Sequence, residues 1–301
     1  DPHRAQDKYS IDAIEQLFLG LTDADPVVLY NIKPELATAW EVSEDGTQWT
    51  FTIRNDVPWV KYDVNTGEGE VLRMVTAEDV EFGIKRACDA RHDSYYTSVI
   101  DKVVLGCNDL SALGHEATND DYDLVQVEAL DDSTLVVNLQ FSVGYFLSQS
   151  SMWIYRPVPR EIIEEYGDNW TDTDTIVTNG AFMLEEWIPG VRIIYTRSGF
   201  LPADMQGPGN VERVVKSVVE DGGTIFALYQ DHQVDRGIAL LDLGDAHRVV
   251  HAVGLEAEPE RLFGHLLGAD FDHIEDKPCE AVLDVRLDHF LQRRRYLRVR
   301  N

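Results

Sequence analysis

The sequence predicts a mixed fold of helices and strands, α/β or α+β rather than a pure doubly wound sheet. Three observations carry this: apolar stripes at helical spacing, three stretches of period-two alternation around turn residues, and the absence of strict strand–helix–strand alternation. The elements follow in chain order. Ser10 is placed to cap a helix over 11–19, where Ile11, Ile14, Leu17 and Phe18 share a face and Gly20 supplies the stop. Trp40 and Val42 alternate with polar residues, Glu44-Asp45-Gly46 turns the chain, and Trp49, Phe51 and Ile53 alternate with Thr50, Thr52 and Arg54 on the return. Thr76 to Asp79 has the form of a capping box, with Asp in place of Glu or Gln, and Val80, Ile84 and Cys88 continue it as a buried stripe. A second hairpin runs through Val125, Val127 and Ala129, turns at Asp131-Asp132 and returns through Leu135, Val137 and Leu139. Pro159 opens a short helix through Tyr166, which Gly167 closes. A third hairpin uses Phe182 and Leu184, the Pro189-Gly190 turn, and Val191, Ile193 and Tyr195. Val211 to Val219 reads as a strand and Thr224 to Tyr229 as a short helix. Residues 108–123 and 168–176 read as polar loops, and the pattern weakens beyond about residue 236.

The chain is 301 residues long and 44% hydrophobic, enough for a sizeable core and, by length, two domains. Its 26 basic residues face 54 acidic ones, for a formal charge of −28. Such a field repels phosphate backbones and anionic lipid, so no nucleic-acid partner is expected. Against this trend, residues 286–301 hold six arginines and one acid, Asp288. An interaction arm and a plain solvated end both fit that run. The three cysteines are odd in number and lack CxxC spacing, which indicates neither a disulfide framework nor a zinc site; Cys88 reads as a small core residue. No run of 18 apolar residues is present, so no membrane-spanning helix is expected. The opening Asp1-Pro2-His3-Arg4 is not a signal peptide, so either a leader has been removed or none existed.

Several segments, in order, resemble the family 5 extracellular solute-binding proteins, the oligopeptide, dipeptide and nickel-binding group. Asp1-Pro2-His3 is similar to that family's "LDPH" opening and Phe18-Leu19-Gly20-Leu21 to its "LYEGL" helix end. Pro34-Glu35-Leu36-Ala37 with Trp40 to Gly46 resembles "P-x-LA-x-x-W-x-x-SEDG", and Trp49 to Arg54 resembles "WTFxLR". Val75 to Val80, Ala129 to Leu135 and Thr178-Asn179-Gly180-Ala181-Phe182 resemble later blocks. The match extends over residues 1 to about 235.

The resemblance implies an α/β fold of the type II periplasmic-binding-protein kind, with a small α+β domain inserted into the first lobe. By that comparison 1–38 and 173–255 form the first lobe, 39–172 the inserted domain, and 256–301 a degenerate remnant of the start of the second lobe, which is otherwise missing. The chain thus reads as truncated. The resemblance also implies the substrate-binding component of an ABC importer, located outside the cytoplasm in the periplasm or lipid-anchored at the cell surface. Its partners are then a peptide or small-molecule ligand and the permease subunits, with no cofactor and no covalent chemistry. Carried over by position, Gln6, Asp7 and Lys8 line the cleft. Gln6 stands where relatives that bind a peptide ammonium often have an acid. Tyr95 and Tyr96 lie where relatives place a ligand-facing aromatic, and Lys216 occupies another cleft position. Each has a plainer reading as packing or outward strand residue. Asn179-Gly180 marks a tight turn, and His232 replaces a family glycine.

Other chemistry is poorly supported. His247 and His251 are four apart but lack an HExxH pattern. Glu164-Glu165 and Glu185-Glu186 are adjacent, so their side chains diverge and do not flank one bond. Asn119 to Asp123 lacks EF-hand spacing. The main alternative is an extracellular interaction module without a transport role, or a non-functional relic.

Overall fold

The computed structural model describes residues 1–253 apart from 26–27, 29–30, 208, 220 and 243–246. The expected remnant at 256–301 lies outside the described residues. Two units are distinguished, Asp1–Trp187 with Ile193–Pro208, and Ile188–Arg192 with Gly209–Asn301.

The first unit opens with helix α1 (Lys8–Leu17) and a short antiparallel pair, β1 (Thr22–Ala24) and β2 (Ile32–Pro34). The first predicted hairpin follows as β3 (Ala37–Val42) and β4 (Gln48–Ile53), with Gly46 taking a φ of 73° in the turn. β5 (Pro58–Asp63) and β6 (Glu68–Met74) form a hairpin that the sequence reading did not contain. Trp59 and Val60 are adjacent and both buried, so β5 lacks the alternation by which strands were sought. Helix α2 (Ala77–Cys88) begins at the expected box, Asp79 accepting the Thr76 N–H at 3.0 Å. The stretch read as polar loop instead contains α4 (Cys107–Ala112) and tight turns over Asn119–Leu124, after the short α3 (Thr97–Ile100). Thr118 and Asp121 cap those turns with side-chain bonds, a local signal hidden by the acidic composition.

The second hairpin is β7 (Val127–Asp131) and β8 (Thr134–Asn138). β3, β4, β8 and β7 make one antiparallel sheet in that order, with Trp49 opposite Val137 and Phe51 opposite Leu135. Its inner face, from Trp49, Phe51, Ile53, Leu135, Val137 and Val127, packs with Val80, Ile84 and Cys88 of α2 in one core. Phe146, in α5 (Phe146–Gln149), closes this core edge-on to Trp49 at 5.4 Å and to Tyr155 at 6.1 Å. Ile84 is wholly buried there, so Ile84→Ala costs about 2–5 kcal/mol.

α6 (Arg160–Tyr166) starts at Pro159 and ends at Gly167, as predicted. β9 (Val177–Thr178) pairs with β5, and β10 (Phe182–Ile188) turns at Gly190 into β11 (Arg192–Arg197). In the second unit the Val218 N–H donates to the Val191 carbonyl at 2.8 Å, just past β12 (Arg213–Ser217). α7 (Gly222–Gln230) leads to the hairpin β13 (Arg236–Asp242) and β14 (His247–Val253). His247 and His251 are therefore both on β14. Among the described residues no helix is long and apolar enough to cross a membrane.

One expectation is overturned. Cys88 and Cys107 form a disulfide, their Cα atoms 5.1 Å apart, so Cys88 is more than a core thiol. It joins the end of α2 to the start of α4. The odd cysteine count and the wide spacing concealed the pair, because only the fold brings the two helix ends together.

Candidate ligand-binding site

The segment expected to line a cleft enters α1. Asp7, not Ser10, is the N-cap: its carboxylate accepts the Tyr9 N–H at 2.9 Å, the Ser10 N–H at 3.0 Å and the Ser10 hydroxyl at 2.6 Å. The Ser10 hydroxyl foremost, with these amides, holds the Asp7 carboxyl below its ordinary range. Gln6, Asp7 and Lys8 are all exposed. Capping thus accounts for Asp7 without a ligand, while leaving the carboxylate ionised at the surface.

The residues just before them are anchored in the interior. Arg86, 3% exposed on α2, grips the Asp1 carboxylate through both terminal nitrogens at 2.9 and 2.7 Å. Its Nη1 also donates to His3 Nδ1 at 2.7 Å. Arginine only donates, so His3 accepts there and is the neutral tautomer protonated on Nε2. Burial, then the Arg86 charge, holds the His3 pKa well below the usual value. Trp170 donates its indole N–H to Asp1 at 3.2 Å and packs edge-on to Phe18 at 6.1 Å, and Phe18 packs on Trp59 at 6.3 Å. Asp1 and His3 are therefore anchors, and the exposed ligand candidates are the residues after them.

The second candidate group precedes α3. Tyr95 is 67% exposed and edge-on to Tyr96 at 5.2 Å, while Tyr96 is edge-on to Trp153 at 4.8 Å. Tyr95 offers ring and hydroxyl to solvent; Tyr96 is half-buried between the other two rings. Trp153, the third ring, was not singled out from the sequence, where an isolated Trp carries no periodic signal. The Thr97 hydroxyl donates to the Ala87 carbonyl at 3.0 Å, fastening this stretch to the last turn of α2.

The far end of α1 is clamped from two sides. Asn179 Oδ1 accepts the Leu19 N–H at 3.0 Å, and the Gly180 N–H donates to the Leu17 carbonyl at 2.9 Å. A Cβ on Gly180 would stand 2.5 Å from the Leu17 carbonyl carbon, so close approach, rather than the tight turn expected, demands glycine here. On the other side the buried Arg156 donates to the Phe18 carbonyl and pairs with Glu15 at 2.8 Å. Glu35 accepts the Gly20 N–H at 2.6 Å. Burial drives the Glu35 carboxyl up to about 8, against the pull of Arg156. Neither Arg156 nor Glu35 stood out in the sequence; Glu35 lay inside a quoted motif, with nothing local to mark it as enclosed.

Lys216 belongs to the second unit, half-buried on β12 within the predicted strand. In the same unit His232 has a φ of 54°, in the left-handed region that favours glycine, immediately beyond α7. The Gln233 N–H reaches back to the Leu228 carbonyl at 2.9 Å, closing a Schellman cap around it. Among the described residues no group of three or more His, Cys, Asp or Glu is placed to hold a metal ion.

A model of the family described as bacterial extracellular solute-binding proteins, family 5 Middle, matches residues 31–246. The periplasmic oligopeptide-binding protein OppA of Escherichia coli is 31% identical over 210 residues, covering 66% of this chain and 33% of that protein. The dipeptide-binding protein DppE of Bacillus subtilis is 28% identical over 250 residues, covering 81% of this chain and 41% of its own length. In fold, a crystal structure of a periplasmic oligopeptide-binding protein, OppAIV of Borrelia burgdorferi, superposes with a TM-score of 0.68 at 24% identity, over 79% of this chain and 44% of that one. The α/β binding-protein fold expected from the sequence is thus the fold found. The chain spans about a third of the oligopeptide-binding relative and under half of the other two.

Proposed function

The chain belongs to the bacterial extracellular solute-binding proteins of family 5, and from that membership we propose that it captures peptides outside the cytoplasm for delivery to the permease of an ABC importer. The family match over residues 31–246 carries this reading. Oligopeptide- and dipeptide-binding relatives support the ligand class. The buried Cys88–Cys107 disulfide supports an oxidising, extracytoplasmic setting, either periplasmic or at the cell surface on a lipid anchor. Residues 1–38 and 173–255 form the first lobe and 39–172 the inserted domain. The sheet β3-β4-β8-β7 lies inside that insertion except for the first two residues of β3, Ala37 and Thr38.

In this reading the exposed Gln6, Asp7 and Lys8 meet the ligand's backbone and charged groups and Tyr95 and Tyr96 meet a side chain, while Lys216 is a separate candidate within the second unit. Such a protein works by population shift: ligand favours the closed arrangement, and that arrangement engages the permease. Its role is binding rather than catalysis.

A thermal-shift screen against pooled tri- to pentapeptides, sugars and metal chelates tests the proposal. The peptide pool should raise the melting temperature, since ligand at a hundred times its dissociation constant adds about 2.7 kcal/mol. Tyr95→Ala should weaken that response without lowering the unliganded melting point. A cooperative transition unmoved by peptides would refute it.

A further inference from the structure

The two segments of the first unit assigned to the ligand are fastened to one place, the last turn of α2. Arg86 holds Asp1 and His3, three to five residues ahead of Gln6. The next residue, Ala87, takes the Thr97 hydroxyl and so holds the chain that presents Tyr95 and Tyr96. The one after that, Cys88, is bridged to Cys107. This turn cannot slide: Ile84, Ala87, Cys88 and Cys107 are wholly buried. The link from Arg86 to Gln6 is short and folded, because the N–H groups of Arg4 and Ala5 both donate to the Asp1 carbonyl at 3.2 Å, and Ala5 is buried.

From this geometry we infer that Arg86 is a positioning residue for ligand capture: its fork on Asp1 and its bond to His3 set where Gln6, Asp7 and Lys8 stand when a peptide arrives. The inference rests on the peptide-binding reading above. Stability alone is a weak reason to bury such a pair, since desolvating two charges offsets most of their attraction and apolar replacements are often neutral. What a planar guanidinium supplies, and a point-charged lysine does not, is direction: two parallel bonds fix the carboxylate in a plane, and the remaining contact fixes the imidazole. The order thus placed in Asp1–Ala5 is carried straight into Gln6.

The test uses the full chain and an equimolar tri- to pentapeptide pool. The variants are Asp1→Asn, which keeps shape and removes the charge, Arg86→Lys, which keeps charge and removes the fork, and Asp1→Glu as the conservative rescue. Arg160→Ala, which removes a surface pair with Glu164 and a cation–π contact with the Phe82 ring but touches neither Asp1 nor His3, is the control. Asp1→Asn and Arg86→Lys should each raise the half-saturating peptide concentration about tenfold. Amide hydrogen exchange should quicken across residues 3–10 and stay unchanged in β4 and the first two turns of α2. Asp1→Glu should recover part of the affinity, and Arg160→Ala should match the parent. A folded Asp1→Asn protein with parental half-saturation overturns the inference, as does exchange that quickens evenly through the core, which marks a purely structural role. Failure of the parent chain to respond to the pool instead overturns the peptide-binding reading beneath it.

Discussion

Breaking the Cys88–Cys107 bridge offers the sharpest quantitative check on the structure. The bond spans a sequence separation of 19, and both cysteines are wholly buried. Chain-entropy reasoning assigns a loop of that size about 3 kcal/mol of stabilisation at 25 °C. Comparing oxidised and reduced forms of one chain isolates that contribution, because replacing either cysteine would add a cavity. A Cys279→Ser background leaves only this pair to report. With a urea slope of about 2–3 kcal/mol/M, reduction should lower the unfolding midpoint by about 1–1.5 M. Peptide mapping after alkylation should find the link between the fragments holding residues 88 and 107. An unchanged midpoint, or two alkylatable thiols at these positions in the native oxidised protein, would refute both the bond and the argument for an oxidising compartment.

Three other outcomes are expected. His92 is pulled down to about 4, first by burial and then by Arg86, so it folds neutral while the unfolded chain protonates below about 6.5; stability should fall as pH drops from about 6.5 to 4, by at most about 3 kcal/mol, and His92→Gln should flatten that part of the urea-midpoint curve. Glu35 has the opposite sign: its raised pKa makes the fold retain a proton that the unfolded chain loses, so stability should decline as pH rises from about 4.5 to 8. The loss should be about 2 kcal/mol, less than the full shift because the side chain stays partly exposed, and Glu35→Gln, whose amide oxygen still accepts the Gly20 N–H, should remove it from the pH-dependent melting curve. His232→Gly should raise the stability of α7 and its cap by about 0.5–1 kcal/mol, read as slower amide exchange at Gln233, because glycine occupies the left-handed conformation without the Cβ clash; unchanged exchange would count against that conformation at 232.

The elements legible in the sequence were those that announce themselves locally. The box at Thr76–Asp79, the stripe of Val80, Ile84 and Cys88, and the turns at Gly46 and Gly190 each depend on residues a few positions apart, and each stands where it was expected. The ordered series of short motifs was enough to indicate the family, since their spacing records a whole fold at once. Tertiary contact decided the rest. The chain alone does not reveal that Asp7 caps α1 in place of Ser10, since both are good capping residues and only the path of the chain before the helix selects one. Nor does it reveal that Arg86 meets Asp1 across 85 positions, that Arg156 meets Phe18 across 138, or that two of three cysteines pair. Sequence patterns report periodicity and turn chemistry, which are properties of neighbours. The groups that hold the candidate site in place are buried charges, a ring and a disulfide, whose partners are neighbours only after the chain has folded.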